Sequence, residues 1–338
     1  MGKHLIRFDS REQAREFQRI GQILSAQGHY DSNKPKSIRL DAGETAIFQR
    51  QLESIKVQII EAEYPHLKAR ELIPVEPGVD PGADTFTWRF WDRLGTAKMI
   101  VNYADDLPRI DMFGSENKTA IETIGISFAY STQDVRAAAK ANVPLQARKA
   151  LYAKEAAERK LEHIASGGDT TRNVPGVLKN ANVPIISAGI NGNWTPGGAT
   201  AAQMYSDAHA LAFTVWSQTL QIHEPDTMVL DSTPYQTFAS TPYSTLNGES
   251  VMQVFLKSTP FIKQIIPWVE CAKKAANNTS SRAWVYEKTP LNLALVIALE
   301  FQALPPQMQG LEFAIPCEMR TGGAVYYRPL SAVYCDVL

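Results

Sequence analysis

The sequence predicts an α+β fold, and three observations carry that prediction. After Pro144 the chain runs to Ser166 without another Gly or Pro, which reads as one long helix. Ahead of it, Thr85–Phe90 and Ile124–Tyr130 alternate apolar and polar residues with period two and read as strands. Beyond Asn180, helical and strand-like patterns interleave as in α/β material.

Taken in order, Arg11 to Gln27 reads as a helix after Asp9-Ser10. Ala14, Phe17, Gly21 and Leu24 form one stripe, and Arg7, Arg11, Arg15 and Arg19 form another at four-residue spacing. Glu12 and Glu16 partly compensate the arginines, so the basic stripe reads first as a solvated face and second as a contact surface. Gly28 to Gly43 reads as a linker, and Glu44 to Glu63 as a second amphipathic helix buried through Ile47, Leu52, Ile55 and Ile59. Pro74, Pro77, Gly78, Pro81 and Gly82 then put too much turn chemistry into residues 74–84 for regular structure.

Trp88, Phe90 and Trp91 lie on or beside the first alternating segment, and the acidic Asp105-Asp106-Leu107-Pro108 and then Phe113 lie between the two. A two-stranded excursion cannot bury its own aromatics, because an isolated hairpin is marginally stable in water. It is expected to lie on another molecule. Aromatic alternation also marks any half-buried strand, and a local turn explains the acidic run equally well.

Ser131 and Thr132 offer hydroxyl caps, and Asp134 sits where the helix dipole favours a carboxylate, so Thr132 to Ala141 is expected to be helical. Asn142-Val143-Pro144 breaks and restarts the chain. The following rod is about 30 Å long at ~1.5 Å per residue. Ala150, Ala153, Ala157, Leu161 and Ile164 form its apolar stripe, Lys154 with Glu158 and Glu155 with Arg159 are expected ion pairs, and Gly167-Gly168 stops it. By spacing alone this is a solvated amphipathic helix of any α/β protein. A turn-rich exit, Gly168-Asp169 through Val174-Pro175-Gly176-Val177-Leu178-Lys179-Asn180, follows.

The later segments read as a helix over Thr200 to Leu220 with Met204, Ala208, Leu211 and Val215 inward, a strand at Pro225 to Leu230, and a short helix near Pro234-Tyr235. Glu249 to Lys257, Phe261 to Glu270, Arg282 to Lys288 and Leu291 to Phe301 read as helix, strand, strand and helix. Leu311 to Glu318 and Ala324 to Val337 read as two strands.

Composition narrows the function classes. With 338 residues, 44% hydrophobic and 20% charged, the chain can bury one sizeable core or two smaller ones. A net charge of -1 argues against a tight, sequence-independent hold on nucleic acid. Cys271, Cys317 and Cys335 are scattered, without metal-ligand spacing, and read as buried thiols. No apolar run approaches the ~20 residues of a membrane span. No nucleophile elbow, phosphate loop or zinc motif occurs, and the histidines stand one by one, so neither catalytic residues nor cofactor or metal ligands are assigned.

Four stretches together resemble the major capsid proteins of tailed bacteriophages, whose fold, named after the Hong Kong ninety-seven phage, is shared with encapsulins. The first is the Ala-rich charged helix followed by Gly168-Asp169 and Pro175-Gly176-Val177-Leu178. The others are Tyr64-Pro65-His66-Leu67-Lys68-Ala69-Arg70-Glu71-Leu72-Ile73-Pro74-Val75, Tyr103-Ala104-Asp105-Asp106-Leu107-Pro108-Arg109-Ile110-Asp111 and Gly322-Gly323-Ala324-Val325-Tyr326-Tyr327-Arg328-Pro329. The likeness runs from about Glu44 to Leu338. It implies an N-terminal arm at 1–43, a peripheral domain from 44–73, 121–184 and 311–338 with the long helix as its spine, an extended loop at 74–120, and an axial domain at 185–310.

The same resemblance implies a structural protein and not an enzyme, assembling from many copies into pentamers and hexamers of an icosahedral head around double-stranded DNA. The extended loop would reach over the adjacent subunit through Trp88, Phe90, Trp91 and Phe113, with Asp105, Asp106 and Arg109 as ion-pair partners. Scaffold, portal and cement proteins are implied partners. Packaged DNA would be touched weakly, no membrane or cofactor would be involved, and assembly would take place in the host cytoplasm before release as a virion. Some relatives join subunits covalently through a lysine and an asparagine; no local pattern singles out Lys98 or Lys118 for this, so noncovalent assembly is expected. An encapsulin-type compartment and a soluble α/β enzyme are the alternatives.

Overall fold

In the computed structural model the chain divides into two units, Met1–Glu63 and Tyr64–Leu338. Residues 65–99, 109–141, 145–186, 193–244 and 248–336 are described, all in the second unit. The arm helix, the linker and the helix read over Glu44 to Glu63 lie outside them.

The described chain opens with α1 (Ala69–Leu72), β1 (Val75–Glu76), β2 (Thr85–Leu94), β3 (Asp111–Ala120) and β4 (Glu122–Ser131). Then come α2 (Thr132–Ala141), α3 (Leu145–Gly167), β5 (Ile185–Ile186), α4 (Ala201–Gln218), β6 (Thr227–Leu230), α5 (Ser232–Ser240) and α6 (Val251–Ser258). It closes with β7 (Gln264–Pro267), β8 (Ala283–Tyr286), β9 (Leu293–Ala303), β10 (Gln307–Gln309), β11 (Glu312–Tyr326) and β12 (Ala332–Cys335).

Three sheets result. In the first, β11 lies between β9 and β4, antiparallel to both, with β10 hairpinned onto its start and β1 parallel to β9. The second has the order β5-β12-β8-β6-β7, and the third is the β2–β3 pair alone. Helix α3 lays its predicted stripe on this framework: Ala153, Ala157, Leu161 and Ile164 are buried, whereas Leu151 is exposed. Alanines at the contact allow a close approach of helix to sheet. Glu155 and Arg159 pair at 3.0 Å as the spacing predicts. Glu158, read as the partner of Lys154, holds Arg70 of α1 at 3.0 Å instead, because a planar guanidinium offers a carboxylate two parallel bonds.

Every residue of β6, β8 and β12 is buried. One face packs Met228, Leu230, Val285 and Val333 against α4, α5 and α6. The other turns Val229, Trp284, Tyr286 and Tyr334 toward the core that contains Leu161 of α3 and Leu295 of β9. Covered on both sides, such strands are apolar at nearly every position and lose the alternation that marks a half-buried strand. The same physics corrects one reading: Leu291 to Phe301, read as a helix, is strand β9, with Leu293 to Ala298 all buried. The two strands read at Leu311 to Glu318 and Ala324 to Val337 are also divided elsewhere. β11 is continuous through Gly322-Gly323, because irregularities between Glu318 and Gly323 absorb the glycines, and the break falls at Pro329–Ser331.

The end of α3 is fixed by backbone meeting backbone. Gly168 has φ +70, and a side chain on Gly176 would bring Cβ within 2.2 Å of the Gly168 nitrogen and 2.8 Å of the Ser166 oxygen. Val177 N–H donates to Ala165 O and Leu178 N–H to Ser166 O, both at 2.8 Å, so the exit turn is stitched to the last helical carbonyls. From the other side Ala324 N–H donates to Pro175 O at 2.9 Å, Tyr326 and Tyr334 hydroxyls donate to Val177 O, and Arg282 donates to Leu178 O. Arg282 is itself held by Asp336 at 2.5 and 2.7 Å and lies 4.5 Å from the Tyr334 ring centre.

This packing gives a clean contrast. Gly176→Ala forces backbone apart and should cost about 3 kcal/mol in urea unfolding. Gly78, with φ +77 and nothing within 4 Å of where a methyl group would stand, should cost about 1 kcal/mol on the same change. Equal losses would contradict the assignment of the turn as the tight point.

Candidate functional site

The β2–β3 hairpin pairs without a slip from Thr85 with Ala120 to Leu94 with Asp111. Cross-strand partners share a face, so Phe86, Trp88, Phe90 and Phe113 lie on one side and Trp91 with Met112 on the other. The sequence-predicted aromatics are therefore on one element but divided between two faces. Among the described residues only the base is anchored: Trp88 meets Tyr327 edge-on at 5.8 Å, Thr119 donates to Gly322 O at 3.3 Å, Ile121 N–H donates to Asp84 O at 2.9 Å, and Arg320 reaches Asp84 at 3.3 Å.

Beyond the base, Asp111 through Lys118 are all exposed. Trp91 and Phe113 are each 59% exposed and Met112 64%. Trp91 lies across Gly114, where an added Cβ would come within 3.1 Å of the ring. The cross-strand Arg89–Glu116 pair, at 3.4 Å with both side chains largely exposed, contributes at most about 1 kcal/mol. Burying each large apolar side chain contributes roughly 1.5–3 kcal/mol. Covering the outer hairpin thus contributes more than its cross-strand ion pair does. Arg109 is exposed, and Asp105 and Asp106 lie outside the described residues.

Polar clusters hold the body to which this base is attached. Glu162 of α3 is 7% exposed and accepts from Lys68 N–H and Ala69 N–H at 2.8 Å and from the Trp268 indole at 2.6 Å, joining α1, α3 and the second sheet. Arg70 bridges Glu158 and Glu300. Its bonds to Glu300 are 2.7 and 2.8 Å long; that hydrogen bonding raises the guanidinium above its ordinary range and lowers the Glu300 carboxyl. At the α3 terminus, burial alone would raise Glu270. The Ser166 hydroxyl at 2.7 Å, with Lys274 and His163, outweighs it, and the carboxyl falls below its ordinary 4.5. The partners of Arg70 alone are 88 and 230 residues away in the chain, so no local sequence pattern could have paired them. Asp134 was legible: its carboxylate accepts from Ser131 N–H at 3.1 Å while Ser131 Oγ accepts from Asp134 N–H at 3.0 Å, a reciprocal cap on α2.

Among the described residues no cluster of His, Cys, Asp and Glu could hold a metal ion, and no helix is long and apolar enough to cross a membrane. Cys271, Cys317 and Cys335 are buried, and burial pushes the Cys271 and Cys317 thiols up, away from the thiolate form. The geometry offers an exposed apolar ribbon on a firmly tied body.

Residues 95–338 match the sequence model of a family described as Major capsid protein. No curated protein matches the chain. In structure it is similar to the capsid of Myoviridae phage XM1, with TM-score 0.74 and 16% identity over 87% of this chain and 99% of that one. Gordonia phage Cozz gives 0.59 and 11% over 91% and 97%. A virus-like particle from Pyrococcus furiosus gives 0.50 and 14% over 79% and 91%. At these identities the likeness is one of fold.

The carboxylate shifts fix a pH dependence. Glu270 and Glu300 titrate lower folded than unfolded, so their stabilisation is present above about 4.5 and is lost as pH falls through their folded values. Thermal unfolding across pH 3 to 7 should show Glu270→Gln flattening the acid-side loss of stability. An unchanged slope would remove Glu270 from the acid-sensitive groups.

Proposed function

The chain belongs to the major capsid protein family, and from that premise we propose that it builds an icosahedral phage head by closing pentamers and hexamers of identical subunits around double-stranded DNA. The outer hairpin carries this reading, since it exposes apolar side chains on both faces and, among the described residues, has only its base to hold it. Residues 74–120 act as the loop that overlaps an adjacent subunit. Residues 44–73, 121–184 and 311–338 act as the peripheral domain with α3 as its spine, 185–310 as the axial domain near each capsomer centre, and 1–43 as an arm.

Phe90, Trp91 and Phe113 are the contact residues at the neighbour, with Asp105, Asp106 and Arg109 as polar partners. Trp88 sits at the edge of that contact, covered from its own subunit by Tyr327. The work is mechanical and non-catalytic: head-to-tail contacts repeated around a ring close it, and many modest interfaces sum over the shell. The subunits assemble in the host cytoplasm, with scaffold, portal and cement proteins as further partners. DNA is held by enclosure, because a net charge of -1 supplies no basic field. The likeness to the Pyrococcus furiosus particle supports a second reading, an encapsulin-type compartment around protein cargo.

Thr85 and Ala120 are paired at the base of the hairpin, so removing Asp84 to Lys118 takes out the ribbon and rejoins the chain near that base. The deletion variant should unfold cooperatively as a soluble subunit and give no closed shells by electron microscopy. Normal shells from it would contradict the loop assignment. Particles of the intact chain that hold protein and no DNA would favour the compartment.

A further inference from the structure

Under the inner half of the hairpin runs a groove of ≈ 680 Å³ lined by Phe90 of the hairpin and by Leu220, Ile222, Tyr327, Arg328 and Leu330 of the body. Three of the body's residues there are apolar and open to solvent: Leu220 is 84% exposed, Ile222 73% and Leu330 54%. Their presentation is built in. Leu220 and Gln221 are consecutive non-glycine residues at φ 51 and 68, a region that side chains disfavour. The turn is nonetheless held, by Gln221 N–H to Trp216 O at 2.8 Å, Ile222 N–H to Thr219 O at 3.1 Å and His223 Nδ1 to Glu287 Oε2 at 2.6 Å. A strained turn, fixed by hydrogen bonds, displays Leu220 where Gly or Asn would cost less, with Ile222 exposed just beyond it.

The groove wall also holds a cation. Arg328 donates to Asn292 Oδ1 at 3.5 Å, and no carboxylate among the described residues pairs with it. On the outer hairpin Asp92 pairs in register with Phe113, and Asp111 lies two residues further on the same face. Asp92 accepts from Arg93 N–H at 2.8 Å, and no cation among the described residues pairs with either acid. One chain thus carries an apolar concavity beside a cation and a convex apolar ribbon flanked by two carboxylates.

We propose that this groove receives the outer hairpin of a second copy of the chain, with Phe113 of that copy against Leu220, Ile222 and Leu330 and its Asp92 or Asp111 at Arg328. The inference rests on the reading of the hairpin as an inter-subunit contact and adds where that contact lands. Its donor and acceptor surfaces differ, so the contact is head-to-tail, the type that closes rings or extends filaments. The inner end of each hairpin borders the groove that takes the next hairpin's outer end, which links successive contacts around a ring.

The test mixes two full-length chains, one Ile222→Cys and one Phe113→Cys with an affinity tag, under assembly conditions with oxidised glutathione. A disulfide-linked dimer containing one of each is expected, absent when either variant is assembled alone. Assembled particles without that dimer would overturn the proposal. Separately, Arg328→Glu should reduce shell yield at least tenfold with thermal unfolding unchanged, and Asp92→Arg or Asp111→Arg in the same chain should restore it. Normal yield from Arg328→Glu would count against the groove. If that result came while the hairpin deletion still blocked assembly, the groove alone would fail; if the deletion also assembled, the underlying reading would fail.

Discussion

The structure depends on the contact between Gly176 and the end of the long helix. A side chain at residue 176 would overlap the backbone of residues 166 to 168, so helix and exit turn approach as closely as two backbones can. That approach leaves the carbonyls of Pro175, Val177 and Leu178 free for other elements. The first sheet takes Pro175 and Val177 through Ala324 and Tyr326, and the second takes Val177 and Leu178 through Tyr334 and through Arg282 at the start of β8. One short turn therefore registers the helix against both sheets. The hairpin inherits its position from there, because its base is tied to Gly322 and Tyr327, the residues on either side of that contact.

The body and the hairpin obey different physics. The body buries both faces of its second sheet and satisfies charges such as Glu162 and Arg282 internally. Breaking a buried pair of that kind costs about 3–5 kcal/mol, which makes the arrangement specific in geometry. The hairpin is a two-stranded ribbon with large apolar side chains in water, stable at its base and incomplete beyond it. A subunit finished in one part and unfinished in another is suited to assembly: the body closes its core within one chain, and among the described residues nothing covers the outer hairpin.

Strand β2 was legible because it alternates, and the long helix because Ala153, Ala157, Leu161 and Ile164 recur at helical spacing. The hairpin partner β3 was not, being exposed from Asp111 to Lys118 and without alternation, whereas the alternating Ile124 to Tyr130 is β4 and pairs with β11. Strand β9 was not, since burial on both faces erases its alternation and leaves an apolar run that a helix could equally use. Strand β11 reads as two in the sequence because glycines that normally end strands here sit in irregularities of one continuous strand. The Glu162, Arg70 and Glu270 clusters join residues remote in sequence, so only the folded chain displays them. The groove was hidden for the same reason, and Leu220, at the end of a helical pattern, gave no sign that its side chain is exposed.

Hydrogen exchange, compared between free subunits and assembled particles, separates a finished body from an unfinished hairpin. Amides of residues 165–178 should be protected in both, whereas those of residues 88–94 and 111–117 should exchange rapidly in free subunits and slow by at least tenfold in particles. A hairpin equally protected before and after assembly, or one still open in closed particles, would contradict that division.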